Sequence, residues 1–251
     1  MEQNKQNNFK KFGLVGKNIN YSFSKKYFNN KFIKEKISNC SYENFDIISI
    51  EKIKRILEIK DLVGLNVTIP YKESIIPYID KISEKAKKIG AINTICFHKN
   101  GKTFGHNTDA FGFEYALKSK LKQKSNRALI LGSGGASKAI RYVLKKNKIN
   151  YTVVSRKPKK NEINYYEVTE KIIKNHNLII NCTPIGTFPD INLEPKINYS
   201  FISKNHFMID LIYNPVITKF LKNGLKHGCE IMNGESMLIK QAEKSWELWN
   251  K

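Results

Sequence analysis

The stretch GLNVTIPYK, Gly64 to Lys72, places an Asn, a Thr and a Lys at the end of an apolar run that stops at Pro70. A strand that only packs does not need three hydrogen-bonding side chains at its end. Two segments of the same kind follow, GAINTI (Gly90–Ile95) and GHNTDAFGF (Gly105–Phe113). Singly, each reads as a polar strand end, an Asn in a turn or an Asp capping a helix. Together they collect Lys72, Asp109, several Asn and a Thr at strand ends, where α/β sheets bind ligands.

A second group of residues has a different chemistry. GSGG, Gly132 to Gly135, directly follows the apolar run RALIL and opens a helical segment. Such glycines let the backbone turn tightly and approach a pyrophosphate, whose charge a helix N-terminus favours. The third position of the dinucleotide fingerprint holds Ser137 instead of Gly, so the case rests on context as well as on pattern. The next strand, YTVVS, ends where an acid would meet the ribose of NAD. It runs instead into SRKPKK, Ser155 to Lys160, with no acid in it. A 2′-phosphate needs cations, and a guanidinium can grip it with two hydrogen bonds. Arg156 is one of four arginines in the chain, so the cofactor expected is NADP.

The elements that must position these groups alternate. Lys11–Gly16 reads as a strand, Lys25–Ile37 as a helix, Asn44–Ile50 as a strand, and the residues from Glu51 as a helix. GLNVTI is a strand, and Pro70 is expected to open a helical region. Lys81–Ile89 reads as a charged helix stopped at Gly90, and AINTICF and KTFGHN as strands around Asn100-Gly101. This first part is expected to be α/β with a largely parallel sheet. From Asp109 a helix leads into five apolar strands of a second sheet: RALIL, YTVVS, NLIIN, FMIDLIY and CEIMN. The last helix, Glu235–Asn250, ends in WELWN and needs a core for its aromatics. The expected division is 1–108, 109–234, and a terminal helix 235–251 that returns to the first domain.

Composition narrows the class. The net charge of +22 invites nucleic acid, but all but four of the 44 basic residues are Lys. Nucleic-acid readers favour Arg interleaved with aromatics. Here Lys is scattered among Asn and Ile, as the codons of an A- and T-rich genome would produce. No apolar run approaches a membrane span, and the first residues have no apolar signal core, which predicts a cytoplasmic protein. Cys40, Cys96, Cys182 and Cys229 form no C-x-x-C pair and the five His no H-E-x-x-H, so reduced, buried cysteines and no metal are expected.

These motifs, in this order, resemble the shikimate dehydrogenase family, and the resemblance extends through DLIYNPVITKFL (Asp210–Leu221) and NGESMLIKQA (Asn233–Ala242). It implies an α/β substrate domain followed by a Rossmann-like NADP domain. The activity implied is reversible NADPH-dependent reduction of 3-dehydroshikimate to shikimate, on the route to chorismate and aromatic amino acids. The catalytic pair falls on Lys72 and Asp109. Substrate contacts fall on Ser22, Ser24, Thr68, Asn93, Asp109, Tyr213 and Gln241. Cofactor contacts fall on Gly132, Ser133, Gly134, Gly135, Ala136, Ser155, Arg156, Lys157, Lys160, Leu211 and Gly234. A monomer or homodimer is expected, with a small-molecule substrate and neither nucleic acid nor membrane as partner.

The chain departs from the family pattern at three places. Tyr21 stands where His is usual, Lys25 where Pro is usual, and NCTP with Pro184 replaces N-A-T-S. None removes a catalytic group. The rival readings are a quinate/shikimate dehydrogenase of broader specificity and a non-enzymatic ligand-binding relative. The missing acid in SRKPKK speaks against the NAD-using forms of the first, and the intact Lys72 and Asp109 against the second.

Overall fold

The computed structural model describes residues 9–20, 22–120 and 127–251, and the chain divides into two compact units. One runs to Thr108 and takes up Ala242–Lys251 again; the other comprises Asp109–Gln241. Among the described residues, each unit is built on a six-stranded sheet.

The first unit contains β1 (Lys10–Gly16), α1 (Phe23–Lys34), β2 (Cys40–Asp46), α2 (Ile53–Leu57), β3 (Leu62–Val67), β4 (Lys81–Ile82), α3 (Glu84–Ile89), β5 (Thr94–Phe97) and β6 (Thr103–His106). The strand order is β2-β1-β3-β5-β6-β4. The pairs β1–β2, β1–β3 and β4–β6 are parallel, while β3–β5 and the hairpin β5–β6 are antiparallel. One face buries Val15, Leu65, Val67, Ile75 and Ile92. The other buries Phe12, Phe28, Phe32 and Tyr42 with Trp249 from the end of the chain. Trp249 packs on Gly64, where a Cβ would collide with the indole, and its Nε1 donates to Ile95 O at 3.0 Å.

Three local expectations are corrected. The second strand is Cys40–Asp46 rather than Asn44–Ile50, pairing with the whole of β1 from Lys10↔Cys40 to Gly16↔Asp46. It is an edge strand that buries Tyr42 among polar neighbours, so it lacks a continuous apolar signal. The segment from Pro70 is a chain of turns with one short 3₁₀ turn, Ile76–Tyr78, and no α-helix. Pro77 has no N–H to give a helix, and Tyr71, Ile75 and Ile79 are spent on the core. The cysteines are free, but Cys40 and Cys182 are half-buried where burial was expected.

The second unit contains α4 (Asp109–Lys120), β7 (Arg127–Leu131), α5 (Gly135–Lys146), β8 (Asn150–Val154), β9 (Glu162–Ile163), α6 (Glu170–Lys174), β10 (Leu178–Asn181), β11 (Phe207–Asp210), α7 (Lys219–Lys226), β12 (Glu230–Met232) and α8 (Glu235–Trp249), the last crossing into the first unit at Ala242. Its sheet is parallel throughout, in the order β12-β11-β10-β7-β8-β9. Counted from β7, that is the doubly wound order of dinucleotide-binding folds, and its switch point lies between β7 and β10. The strands read as apolar runs because helices cover both faces.

Candidate active site

In the first unit the carboxyl ends of β1 and β3 lie together, with Leu14 beside Asn66 and Val15 beside Val67. The turn after β1 is fixed by β2. Asp46 accepts from Asn18 N at 3.0 Å and from Ile19 N at 2.9 Å, and Asn44 Nδ2 donates to Ile19 O. Ser22 N then donates to Ile19 O, and Ser22 Oγ caps α1 by accepting from Ser24 N at 3.2 Å. Ser22 and Ser24 therefore stand at the N-terminus of a helix with no acid in its first turn, where an anion is favoured. Lys25 is exposed on that helix, and Tyr21 lies outside the described residues.

Backbone bonds draw the next three motif residues together. Thr68 N donates to Val15 O and Thr68 O accepts from Tyr71 N, both at 2.9 Å, turning the chain across a cis Ile69–Pro70 bond. Lys72 O accepts from Ile92 N at 2.8 Å, and Val67 N donates to Asn93 O at 2.9 Å. Thr68 and Lys72 are half-buried. Asn93 is buried; its Oδ1 accepts from Thr108 N at 2.6 Å and its Nδ2 donates to Thr108 Oγ1 at 2.9 Å.

Asn66 faces the interior instead. Tyr42 donates its hydroxyl to Asn66 Oδ1 at 2.8 Å, and Asn66 Nδ2 donates to Ser245 Oγ at 3.0 Å. Burial pushes the Tyr42 phenol well above its usual range, and Ser24 beside it pulls the other way. The three polar residues of GLNVTIPYK thus divide. Asn66 ties α8 to the sheet, while Thr68 and Lys72 remain at the strand end.

In the second unit the turn after β7 has the geometry a pyrophosphate needs. Gly132 has φ +104°, a region other residues avoid, and its N donates to Val154 O at 2.8 Å. Gly134 caps α5 with an extended backbone, and a Cβ there would meet no atom of the described residues beyond its chain neighbours within 4 Å. No described residue fills the space a side chain would take, so the turn fits an anion approaching the backbone. Gly135 and Ala136 open α5, which has no acid in its first turn.

Ser155 directly follows β8, and its Oγ lies 2.9 Å from Ser133 Oγ and accepts from Lys157 N at 3.3 Å. Arg156, Lys157, Lys159 and Lys160 are all exposed. The acid that follows, Glu162, is engaged elsewhere: its Oε1 pairs with Arg141 at 3.3 Å and its Oε2 accepts from Lys159 N at 3.1 Å. The donor set suits the extra phosphate of NADP.

The remaining expected residues also lie in this unit. Asp109 is buried as the first residue of α4, where its charge suits the helix N-terminus. Leu211 and Gly234 are in direct contact, since a Cβ on Gly234 would collide with Leu211 O. Tyr213 is half-buried on the loop after β11. Gln241 is buried on α8 and donates to Leu238 O at 2.9 Å.

Several supporting residues were not foreseen: Asp46 and Asn44, Thr108 and Ser245, and the group Asn181, Asp210 and Thr218. Burial pushes the Asp210 carboxyl up to about 6, although Thr218, Ile212 N and Asn181 all donate to it. Asn181 and Asp210 each end an apolar strand with a polar residue, as in GLNVTI, and that signal could have found them. Among the described residues no group of three or more His, Cys, Asp or Glu could hold a metal ion, and no helix is long and apolar enough to cross a membrane.

The family model for the shikimate dehydrogenase substrate binding domain matches residues 14–95. A shikimate dehydrogenase (NADP(+)) of Methanococcus maripaludis is 40% identical over 258 residues, covering 96% of this chain and 91% of the relative. The enzyme of the same name from Clostridium botulinum is 39% identical over 248 residues, 94% of this chain and 95% of its own. Among solved structures, shikimate dehydrogenase 1 of Peptoclostridium difficile superposes with a TM-score of 0.86 at 38% identity, covering 96% of this chain and 92% of that one. The Thermus thermophilus enzyme, in complex with NADP(H) and shikimate, gives 0.85 at 27% identity, with 96% and 93% covered. With relatives this similar over nearly its whole length, and with the doubly wound sheet and glycine turn in place, the chain belongs to the shikimate dehydrogenase family.

Proposed function

We propose that the protein is an NADP-dependent shikimate dehydrogenase, reversibly reducing 3-dehydroshikimate to shikimate on the route to chorismate and the aromatic amino acids. The observation that carries this reading is the assembly of Ser22, Ser24, Thr68, Lys72 and Asn93 around the ends of β1 and β3. Relatives named for that reaction support it.

Bound NADPH would supply the hydride that adds to the ketone carbon. The oxygen left with negative charge needs a proton, and the Lys72 ammonium both stabilises that charge and delivers the proton. Asp109 takes the part of the partner acid that the resemblance gives it. The hydroxyls of Ser22 and Ser24, with the N-terminus of α1, meet the substrate carboxylate. Thr68 and Asn93 hold ring hydroxyls, with Tyr213 and Gln241 as further substrate contacts. Gly132 to Ala136 hold the pyrophosphate, Ser155, Arg156, Lys157 and Lys160 the 2′-phosphate, and Leu211 and Gly234 the nicotinamide end.

The enzyme is read as cytoplasmic, working as a monomer or a homodimer. The division of labour proposed for the chain is a substrate domain to residue 108, a cofactor domain over 109–234, and a terminal helix returning to the first. The test is purified protein with shikimate and either NADP⁺ or NAD⁺, followed by absorbance of the reduced cofactor. Turnover with a clear preference for NADP⁺ is expected, and no turnover with either would overturn the reading. Quinate in place of shikimate measures the breadth of the pocket.

A further inference from the structure

The loops after β10 and β11 sit beside the switch point of the parallel sheet, and one fully buried carboxylate fastens them together. Asp210 Oδ1 accepts from Asn181 Nδ2 at 3.1 Å and from Ile212 N at 3.0 Å, and Oδ2 accepts from Thr218 Oγ1 at 2.6 Å. Asn181 in turn shapes its own loop. Its Oδ1 accepts from Thr183 N at 3.0 Å and from Thr183 Oγ1 at 2.7 Å. Thr183 borders the glycine turn, because a Cβ on Gly132 would come within 2.8 Å of its Cγ2. On the other side, Gly234 N donates to Ile212 O at 3.0 Å. Asp210 thus joins the end of β10 to the loop after β11, and these segments in turn touch the turn after β7 and the residue before α8.

Burying an anion without a cation beside it is costly, and an apolar residue would fill the same volume at no such cost. What the carboxylate supplies is three directed acceptor contacts converging on two loops. We infer that Asp210 is a positioning residue for the dehydrogenase reaction, holding the loop that carries Leu211 and Tyr213 in a fixed register against the loop that carries Thr183. The inference rests on the function proposed above. Asp210 touches neither substrate nor cofactor in this account; it acts through the residues it holds.

The test compares full-length wild type with Asp210→Ala and Asp210→Asn. Initial rates with shikimate and NADP⁺ are corrected for folded fraction, and NADP⁺ binding is followed by calorimetry. The amide keeps the geometry: its oxygen can accept from Asn181 and Ile212, and its NH₂ can donate to Thr218 Oγ1. Asp210→Ala is expected to lower kcat/KM about ten- to hundred-fold, the scale of a small misplacement of reacting groups. Asp210→Asn should restore it to within about threefold of wild type. Ile173→Ala, a core truncation in α6, sets the loss that destabilisation alone causes. If Asp210→Ala does not fold, Thr218→Val cuts the Oδ2 bond and should lower kcat/KM, with Thr218→Ser restoring it. Full activity per folded molecule in Asp210→Ala, or in Thr218→Val, would overturn the inference while leaving the proposed function standing. An Asp210→Asn variant as impaired as Asp210→Ala would also overturn it, because charge and not position would then matter. An inactive wild type would remove the proposed function and this inference with it.

Discussion

Ser133 Oγ and Ser155 Oγ stand 2.9 Å apart, joining the glycine turn after β7 to the base of the basic loop after β8. The bond makes one surface of two segments, one suited to a pyrophosphate and the other to a phosphate on the ribose. Arg156 follows Ser155 directly, exposed, and only its guanidinium offers the fork that matches a phosphate. Arg156→Ala should weaken NADP⁺ binding by roughly 1.5–3 kcal/mol, about 10- to 150-fold, and leave NAD⁺ nearly unchanged. Calorimetric titration with both cofactors decides it, and equal small losses would show Arg156 to be one more surface cation.

The substrate carboxylate makes a separate prediction. Replacing Ser22 and Ser24 together by Ala should weaken shikimate binding, each lost bond to the charged group being worth about 1.5–3 kcal/mol. Ser22 also caps α1, so part of any loss in melting temperature belongs to the helix. NADP⁺ affinity, measured separately, should not move. A loss of the same size there would mean that the turn faces a different ligand or holds up the fold.

Trp249 closes the aromatic cluster of the first unit, its ring 5.0 Å from Phe12 and 5.4 Å from Phe28 between centroids. Trp249→Ala should cost about 3–5 kcal/mol in urea unfolding, the usual penalty for emptying a buried aromatic site. A change below about 1 kcal/mol would show that the end of α8 is not part of that core.

Much of this architecture was legible because it is local. RALIL, GSGG and the amphipathic run behind them announce strand, turn and helix within twenty residues, and the structure has them as β7, Gly132–Gly134 and α5. The aromatics of WELWN likewise required a core, and Trp249 has one. What could not be read is what distance in sequence conceals. Asn66 resembled a ligand-binding residue, yet its partners Tyr42 and Ser245 lie 24 and 179 residues away. Cys40–Asp46 lacks an apolar signal because an edge strand tolerates polar side chains, and β1 supplies its order. Asp210 sat inside a recognised motif, but its work depends on Asn181, 29 residues earlier.

Asp210 also gives a prediction about pH. Burial raises its carboxyl from 3.8 to about 6 in the folded protein, so the folded state holds the proton more tightly than the unfolded chain does. This group's contribution is therefore greatest below about pH 4, and roughly 3 kcal/mol of it is lost as pH rises through about 6. Cys182 and Tyr199, the titratable neighbours that feel its charge, are pushed upward by burial and stay neutral in that window. Asp210→Asn has no proton to lose. Its stability relative to wild type should therefore increase between about pH 4 and pH 7, read as the difference in urea midpoints. A difference that stays flat with pH would contradict the raised carboxyl.

Lys72 bears the greatest weight in the account, because it is the group proposed to hand the proton to the reduced carbonyl. The direct measurement is steady-state oxidation of shikimate by NADP⁺ with wild type and Lys72→Ala at matched folded fraction. A fall in kcat of roughly 10²–10⁴ is predicted, the weight of one general acid–base group, with a much smaller change in KM because other groups hold the ring. Activity within about threefold of wild type, or a tenfold rise in KM with kcat intact, would contradict the proposal and leave Lys72 no part in the proton transfer.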